Sequence, residues 1–316
     1  MTLTEAARRW GKFEHPDITA TGEQRARVAL ERLETLWFNT GTLCNIECRN
    51  CYILSSPSND ALVYLTAAEV VDYLDEIRDR GLGTREIGFT GGEPFMNPEM
   101  VEMAEAALSR GFEVLVLTNA MRPMMRPRVQ AGLAQLGADY GDRLTLRVSL
   151  DHHDAATHDA ERGAGSFVAS IEGMRWLRDR GIRMAVAART LWGETEAETR
   201  AGFARLFAAE GFAIDADRPG ELVLFPEMDE TAEVPEITDA CWGILGKAPS
   251  DVMCASARMV VKRRGAARPA VLACTLLAYD AAFELGETLA EASGEVALNH
   301  PHCAKFCVLG GANCSG

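Results

Sequence analysis

Ile87-Gly88-Phe89-Thr90-Gly91-Gly92-Glu93-Pro94 runs into Asn97-Pro98, then Gly111, then Val114-Leu115-Val116-Leu117. In order these are a short apolar strand, a glycine turn, a helix entry, a helix stop and a second strand. Short, mostly apolar or β-branched segments are what strands buried on both faces look like. Asn97-Pro98 sets a good N-cap before a first-turn proline. Gly111 suits the left-handed position that ends a helix. A helix between two such strands implies parallel pairing through a right-handed crossover.

Outward from this unit the same rhythm runs from Thr35 to Glu227. Further strand candidates are Thr35-Leu36-Trp37-Phe38, Leu144 to Leu150, Met184-Ala185-Val186-Ala187 and Leu222-Val223-Leu224-Phe225. Thr66 with Glu69 and Thr195 with Glu198 read as capping boxes, and Gly81, Gly181 and Gly211 as helix stops. Six strands are too few for an eight-stranded barrel. The expected fold class is therefore α/β, a partial (β/α)6 barrel or open curved sheet over residues 35–235. Residues 1–34 read as a helical lead-in, with Glu23 to Leu33 the best helix. From Cys241 onward the rhythm stops. Val260 to Gly265 and Pro269 to Leu272 look like the two arms of a hairpin. Residues 236–316 read as a small appended cysteine-rich metal-binding domain.

The chain has 316 residues, with 32 Lys and Arg against 46 Asp and Glu, for a formal charge of −14. Contact with phosphates needs a cationic surface, so this balance argues against a general nucleic-acid binder. No stretch approaches the roughly 20 apolar residues of a spanning helix, so no membrane partner is expected. Met1 to Lys12 is polar and lacks the apolar core of a signal peptide, and the expected address is the reducing cytoplasm. The nine cysteines are an odd number in such a compartment, and their clustering reads as metal binding rather than as a disulfide framework.

Cys44-Asn45-Ile46-Glu47-Cys48-Arg49-Asn50-Cys51-Tyr52 is the sharpest chemical feature. Three thiolates in one short loop can hold three irons of a four-iron–four-sulfur (4Fe–4S) cube. No fourth cysteine is near, so one iron is left open to a ligand. A structural zinc site or buried free thiols is the alternative. Gly91-Gly92-Glu93-Pro94 ends the second strand, where two glycines let backbone approach a ligand and a carboxylate can pair with an ammonium. The cysteine spacing with its following aromatic, together with Gly-Gly-Glu-Pro after the next strand, resembles the radical S-adenosylmethionine (SAM) enzymes. Leu117-Thr118-Asn119-Ala120, Val148-Ser149-Leu150-Asp151, His158-Asp159 and Arg162 to Phe167 extend the match over residues 35–230.

The resemblance implies a 4Fe–4S cluster on Cys44, Cys48 and Cys51 with SAM at its open iron. It implies SAM contacts from Gly91, Gly92, Glu93, Asn119 and Ser149, and from Arg162 or Arg189. Relatives usually carry Gly after the Asp, where this chain has His152, a departure expected to reshape the substrate side of the pocket. Cys254 and Cys274 flank the hairpin, and Cys303, Cys307 and Cys314 close the chain. This pattern is similar to the SPASM or twitch type of auxiliary-cluster domain. It implies one auxiliary 4Fe–4S cluster on Cys254, Cys274, Cys303 and Cys307, with Cys314 as the substitute ligand. Zinc is the alternative for this set, and Cys241 reads as a buried thiol. Lys262-Arg263-Arg264 reads as a solvated turn.

The implied activity is reductive cleavage of SAM to a 5′-deoxyadenosyl radical, which takes hydrogen from a small-molecule substrate in an oxidation or rearrangement. A flavodoxin- or ferredoxin-type electron donor is the implied partner. The alternatives are a maturase of peptide or protein side chains and a non-catalytic iron–sulfur or zinc scaffold.

Overall fold

The computed structural model describes residues 10–227, 229 and 231–310. A two-residue strand β1 (Arg27–Val28) precedes β2 (Thr35–Asn39), β3 (Glu86–Thr90), β4 (Glu113–Thr118), β5 (Leu144–Ser149), β6 (Arg183–Arg189) and β7 (Leu222–Phe225). From β2 to β7 each strand pairs in parallel with the next. The crossovers hold helices α1 (Ala67–Arg80), α2 (Met100–Ser109), α3 (Pro127–Tyr140), α4 (Ala155–Arg162), α5 (Ser166–Asp179) and α6 (Glu196–Glu210). The six expected strands are present, each within two residues of its expected bounds.

Beyond α7 (Ala240–Leu245) come β8 (Ala257–Val261), β9 (Ala270–Leu272), β10 (Glu284–Gly286) and β11 (Val296–Ala297). The expected hairpin is β8 with β9, antiparallel. β8 also pairs in parallel with β2, Thr35 against Ala257. The cysteine-rich segment thus extends the barrel sheet, which reads β10-β9-β8-β2-β3-β4-β5-β6-β7 and is open, with β10 and β7 at its edges.

Alternation along the strands divides the core into two layers. Leu36, Phe38, Ile87, Phe89, Val114 and Val116 pack against the helices. Trp37, Leu115, Met259 and Val261 face the other side, with Cys254 and Cys303. A Cβ at Gly88 would lie 2.3 Å from the Trp37 ring, so the glycine makes room for the indole on the inner face. Helix α1 shows how the outer layer is held. Its capping box, Thr66 with Glu69, satisfies orphan amides at one end. Its buried Val70, Tyr73, Leu74 and Ile77 recur at i, i+3, i+4 and i+7. Each such burial contributes about 1.5–3 kcal/mol. The second capping box, Thr195 with Glu198, opens α6 as expected.

Two local expectations need correction. The described part of the lead-in, residues 10–34, contains no helix. Arg27 and Val28 pair with Ala297 and Val296, and Arg25 is buried with Glu236 at 2.5 Å. These long-range partners override a helical propensity that tertiary context outweighs. Asn97 does not cap α2, whose N-cap is Glu99. Its side chain accepts from the Glu99 amide and donates to the carbonyls of Thr40 and Leu65, so it ties the turn to the loop after β2.

Candidate active site

The chain leaves β2 through Thr40 to Leu43 and runs beside Thr90 to Glu93. Thr40 donates its amide to Thr90 O, Gly92 to Gly41 O and Glu93 to Leu43 O, at 2.8–3.1 Å. A Cβ on Gly91 would stand 2.5 Å from Gly41 O, and one on Gly92 2.3 Å from Leu43 O. The glycines are therefore required by the close approach of these two backbones. This seam delivers Cys44 to the C-terminal end of the sheet, where α/β folds place ligands.

Cys44, Cys48 and Cys51 line one cleft, about 1130 Å³ with its open mouth included. Cys44 is buried, and burial pushes its thiol up to about 12, with Glu93, Cys48 and Cys51 adding to the rise. Burial also raises Cys48, opposed by the Arg162 guanidinium. Thiols so placed are held protonated and close enough to repel one another as anions. Iron that takes up the thiolates releases those protons. Two donors already point at sulfur: the Ser55 amide to Cys51 Sγ at 3.3 Å and Asn119 Nδ2 to Cys44 Sγ at 3.9 Å. The residues present fit a 4Fe–4S cube with three protein ligands.

Glu93 differs from its sequence reading. Its side chain is 2% exposed. The carboxylate accepts from Thr118 Oγ1, from the Asn119 amide at 2.8 Å and from the Phe95 amide. Burial pushes it up to about 7, although these three donors oppose the rise. Gly91, Gly92, Thr118 and Asn119 line the cleft in its place. Asn119 joins the two motifs: its amide holds Glu93 while its side chain donates to Asn45 Oδ1 at 2.9 Å.

Ser149 at the end of β5, Arg162 at the end of α4 and Arg189 at the end of β6 all reach the same cleft. The arginines are not equivalent. Arg162 makes a bidentate pair with Asp151, at 2.8 and 2.7 Å. Burial pushes the Asp151 carboxyl up, but Arg162 and then Arg189 outweigh it and hold it below its ordinary value. Arg189 donates to Asn50 O at 3.4 Å, and its Nε is buried without a partner. Asp151 stood within a motif of the sequence but was given no role there. Its place two residues beyond Ser149, with an arginine eleven residues on at a helix end, was the available signal.

His152 does not line the cleft. It is buried, and its Nδ1 accepts the Asp154 amide at 2.9 Å. Nε2 therefore carries the proton and faces Glu194 at 3.2 Å. His152, His153 and Glu194 gather three donor atoms within 4.8 Å, a set of types that binds iron elsewhere. A cation at His152 Nε2 would require a proton on Nδ1, where the Asp154 amide already points. The trio instead ties the loop after β5 to the loop after β6. His158, also buried, accepts the Asp151 amide at Nδ1.

Cys254, Cys274, Cys303 and Cys307 line a second cavity, with apolar walls that include Val252, Phe283 and Leu298. The Leu276 amide donates to Cys274 Sγ at 3.3 Å. Burial raises the Cys303 thiol, with further contributions from Cys274 and Cys254. Four sulfurs in one apolar cavity fit a fully ligated cluster. Cys314 lies outside the described residues. Cys241 is packed beside Thr238, whose amide donates to its sulfur, and does not line this cavity. Leu276 lines both cavities, and Phe225 of the first stacks on Phe306 at 5.8 Å. Each member of the basic run has an acidic partner, Lys262 with Glu69, Arg263 with Glu284 and Arg264 with Asp60, and Arg264 is exposed at the turn as expected. Among the described residues, no helix is long and apolar enough to cross a membrane.

Comparison with known proteins agrees with this geometry. The Radical SAM superfamily model matches residues 38–201. The antilisterial bacteriocin subtilosin biosynthesis protein AlbA of Bacillus subtilis is 33% identical over 145 residues, 46% of this chain and 30% of that protein. An AdoMet-dependent heme synthase of Methanosarcina barkeri is 31% identical over 136 residues, 43% of this chain and 36% of that protein. The chain thus spans about a third of the length of these curated relatives. Among solved structures, anSMEcpe with bound AdoMet shares the fold, with a TM-score of 0.58 at 14% identity over 86% of this chain and 82% of that one.

Proposed function

The chain belongs to the radical SAM superfamily, whose members use a 4Fe–4S cluster and SAM, and on that premise we propose that it oxidises a small-molecule substrate with the help of a second, auxiliary 4Fe–4S cluster. In this reading Cys44, Cys48 and Cys51 hold the SAM cluster. Cys254, Cys274, Cys303 and Cys307 hold the auxiliary one, in a twitch- or SPASM-like segment. The SAM cluster and its ligand together supply a one-electron cleavage that generates a hydrogen-abstracting carbon radical. An electron donor of flavodoxin or ferredoxin type supplies that electron.

The chain's own residues account for the rest. Gly91, Gly92, Thr118, Asn119 and Ser149 form the wall against which SAM binds, and Arg162 or Arg189 meets its carboxylate. Asp151 fixes the Arg162 fork in a single orientation, and preorganised donors of this kind act without reorganising. Asn119 holds Asn45 beside Cys44 and so fixes the ligand loop. Leu117, Leu276 and Phe225 give the cleft apolar walls that keep water from a reactive intermediate.

One observation carries the oxidative reading: Leu276 lines both cavities, so the cleft and the second set of sulfurs are neighbours. An electron leaving the substrate has a short path to an acceptor there. Anaerobic reconstitution with iron and sulfide, followed by assay for 5′-deoxyadenosine with SAM and a reductant, tests this function. Formation of 5′-deoxyadenosine is the expected outcome. Its absence from a fully iron-loaded chain overturns the reading.

A second reading, action on a peptide side chain, is supported by AlbA, a bacteriocin biosynthesis protein similar to this chain over 46% of its length. Substrate-stimulated 5′-deoxyadenosine formation with a peptide, and none with small molecules, would favour it.

A further inference from the structure

Two arginines are buried beside the second cysteine cavity, and they are balanced differently. Arg25 meets the Glu236 carboxylate at 2.5 Å. Arg258, on β8, is 1% exposed and has no carboxylate partner among the described residues. Its guanidinium donates to four backbone carbonyls: Cys254 O at 2.6 Å, Ala257 O at 2.8 Å, Ala292 O at 2.9 Å and Gly294 O at 3.2 Å. Its Nη1 sits on the Cys254 carbonyl, and the ionisable groups its charge acts on are Cys254 and Cys274. Carbonyl dipoles satisfy its donors but leave its full charge uncompensated, and a buried charge without a counter-charge is costly. A guanidinium cannot shed its proton to escape that cost.

We propose that Arg258 is the built-in counter-cation of the auxiliary cluster, a positioning residue that raises its reduction potential by facing Cys254 and Cys274 from behind. The inference rests on the auxiliary-cluster reading above. A 4Fe–4S cube with four thiolates is a net anion and gains one further negative charge on reduction. A fixed positive charge nearby favours the reduced form. Reduction adds one electron to the cluster from an external donor, with no bond broken in the protein. Arg25 contributes less to this balance because Glu236 offsets it. The arrangement suits a cluster that accepts an electron from substrate rather than one that must reduce SAM.

The test uses the full chain with Cys44, Cys48 and Cys51 changed to Ala, so that iron reports the auxiliary site alone. Iron is counted after anaerobic reconstitution, and the reduced signal is followed by electron paramagnetic resonance in a dithionite titration with mediators. About four irons are expected. In Arg258→Gln the reduced-to-oxidised ratio at the parent's midpoint should fall about tenfold, which is 59 mV for a one-electron couple. Arg258→Lys keeps the charge but loses the forked carbonyl bonds, and its midpoint should stay with the parent. No iron in the triple variant overturns the cluster reading and this inference with it. Full iron with an unmoved midpoint in Arg258→Gln overturns this inference alone. If Arg258→Gln fails to load, Arg258→Lys decides. Loading with the parent's midpoint supports the charge role. A midpoint shifted as far as expected for Arg258→Gln, or a failure to load, makes Arg258 a structural staple and overturns it.

Discussion

The loop that carries Cys44, Cys48 and Cys51 opens onto a cleft ringed by ionisable groups, whereas Cys254, Cys274, Cys303 and Cys307 face a small cavity walled by apolar side chains. In the first, Asp151 with Arg162, then Arg189, stand around three sulfurs. In the second, the nearby charges are Arg258, without a carboxylate partner among the described residues, and Arg25, which is paired with Glu236. Three ligands with polar surroundings leave room and partners for a charged, exchanging ligand. On the proposed assignment, four ligands in an apolar shell would leave no open position and favour a group that only changes its charge. The same residue type thus sits in two different settings, and the surrounding charge distinguishes them.

The strongest break of this comparison removes one sulfur from each site. Cys44→Ala should abolish 5′-deoxyadenosine formation. It should lower iron from about eight to about four per chain, with circular dichroism unchanged, because the loop lies outside both core layers' strands. Cys254→Ala should also leave about four irons, but those four belong to the SAM cluster, so uncoupled SAM cleavage should persist. If both variants lose SAM cleavage to the same degree, the two sites are not independent and the contrast fails.

How much of this was readable in advance follows from sequence distance. Strands β2 to β7 were legible because each is a local run of apolar residues bounded by its own turn signals. The three-cysteine cleft was legible because its sulfurs fall within eight positions, Cys44 to Cys51. The parallel pairing of β8 with β2 joins residues more than two hundred positions apart, and no local pattern reports it. The lead-in failed for the same reason: Glu23 to Leu33 has helical composition, but Arg25 and Val28 are claimed by Glu236 and Val296. Glu93 stood out in the sequence within its motif but not as a buried acceptor, since its donors Thr118 and Asn119 come from the end of β4 and the residue after it. Arg258 drew no reading from the sequence, because its significance lies in lacking a carboxylate partner among the described residues.

A smaller effect sharpens the electrostatic half of the contrast. His158 lies beneath the charged rim of the first cleft. Burial, reinforced by Arg162, lowers its pKa from 6.5 to about 4. A folded-state pKa below the unfolded one means the unfolded chain takes the proton first. Stability is therefore unaffected by this group above about pH 6.5 and is lost as pH falls from there toward 4. At 1.36 kcal/mol per pH unit, the loss reaches about 3 kcal/mol. His158→Asn offers an acceptor to the Asp151 amide without titrating in this range. Urea melts of the metal-free chain at pH 7 and pH 4.5 should show a smaller difference for the variant than for the parent. Equal differences would mean that His158 is not the group responsible. Substitutions at Val252, Phe283 or Leu298, apolar walls of the second cavity, should leave this slope untouched, since those side chains do not titrate.

The smallest effect concerns the seam that delivers Cys44. Gly92 donates its amide to Gly41 O at 2.8 Å, and an added Cβ would meet Leu43 O at 2.3 Å. Neither atom is the end of a flexible side chain, so Gly92→Ala must push the two backbones apart. Overpacking of this kind costs roughly 2 kcal/mol, a modest loss for a chain of this size. The displacement falls on the residues that lead directly into the first ligand and far from the second cavity. Iron at the SAM site should drop while iron at the auxiliary site is retained, which Mössbauer spectra of variants carrying Cys254→Ala or Cys44→Ala in addition would separate. If Gly92→Ala instead keeps full iron and full stability but weakens SAM binding, the glycine pair serves ligand approach rather than the backbone seam. The short contacts to Gly41 and Leu43 would then be ones that the chain can relax.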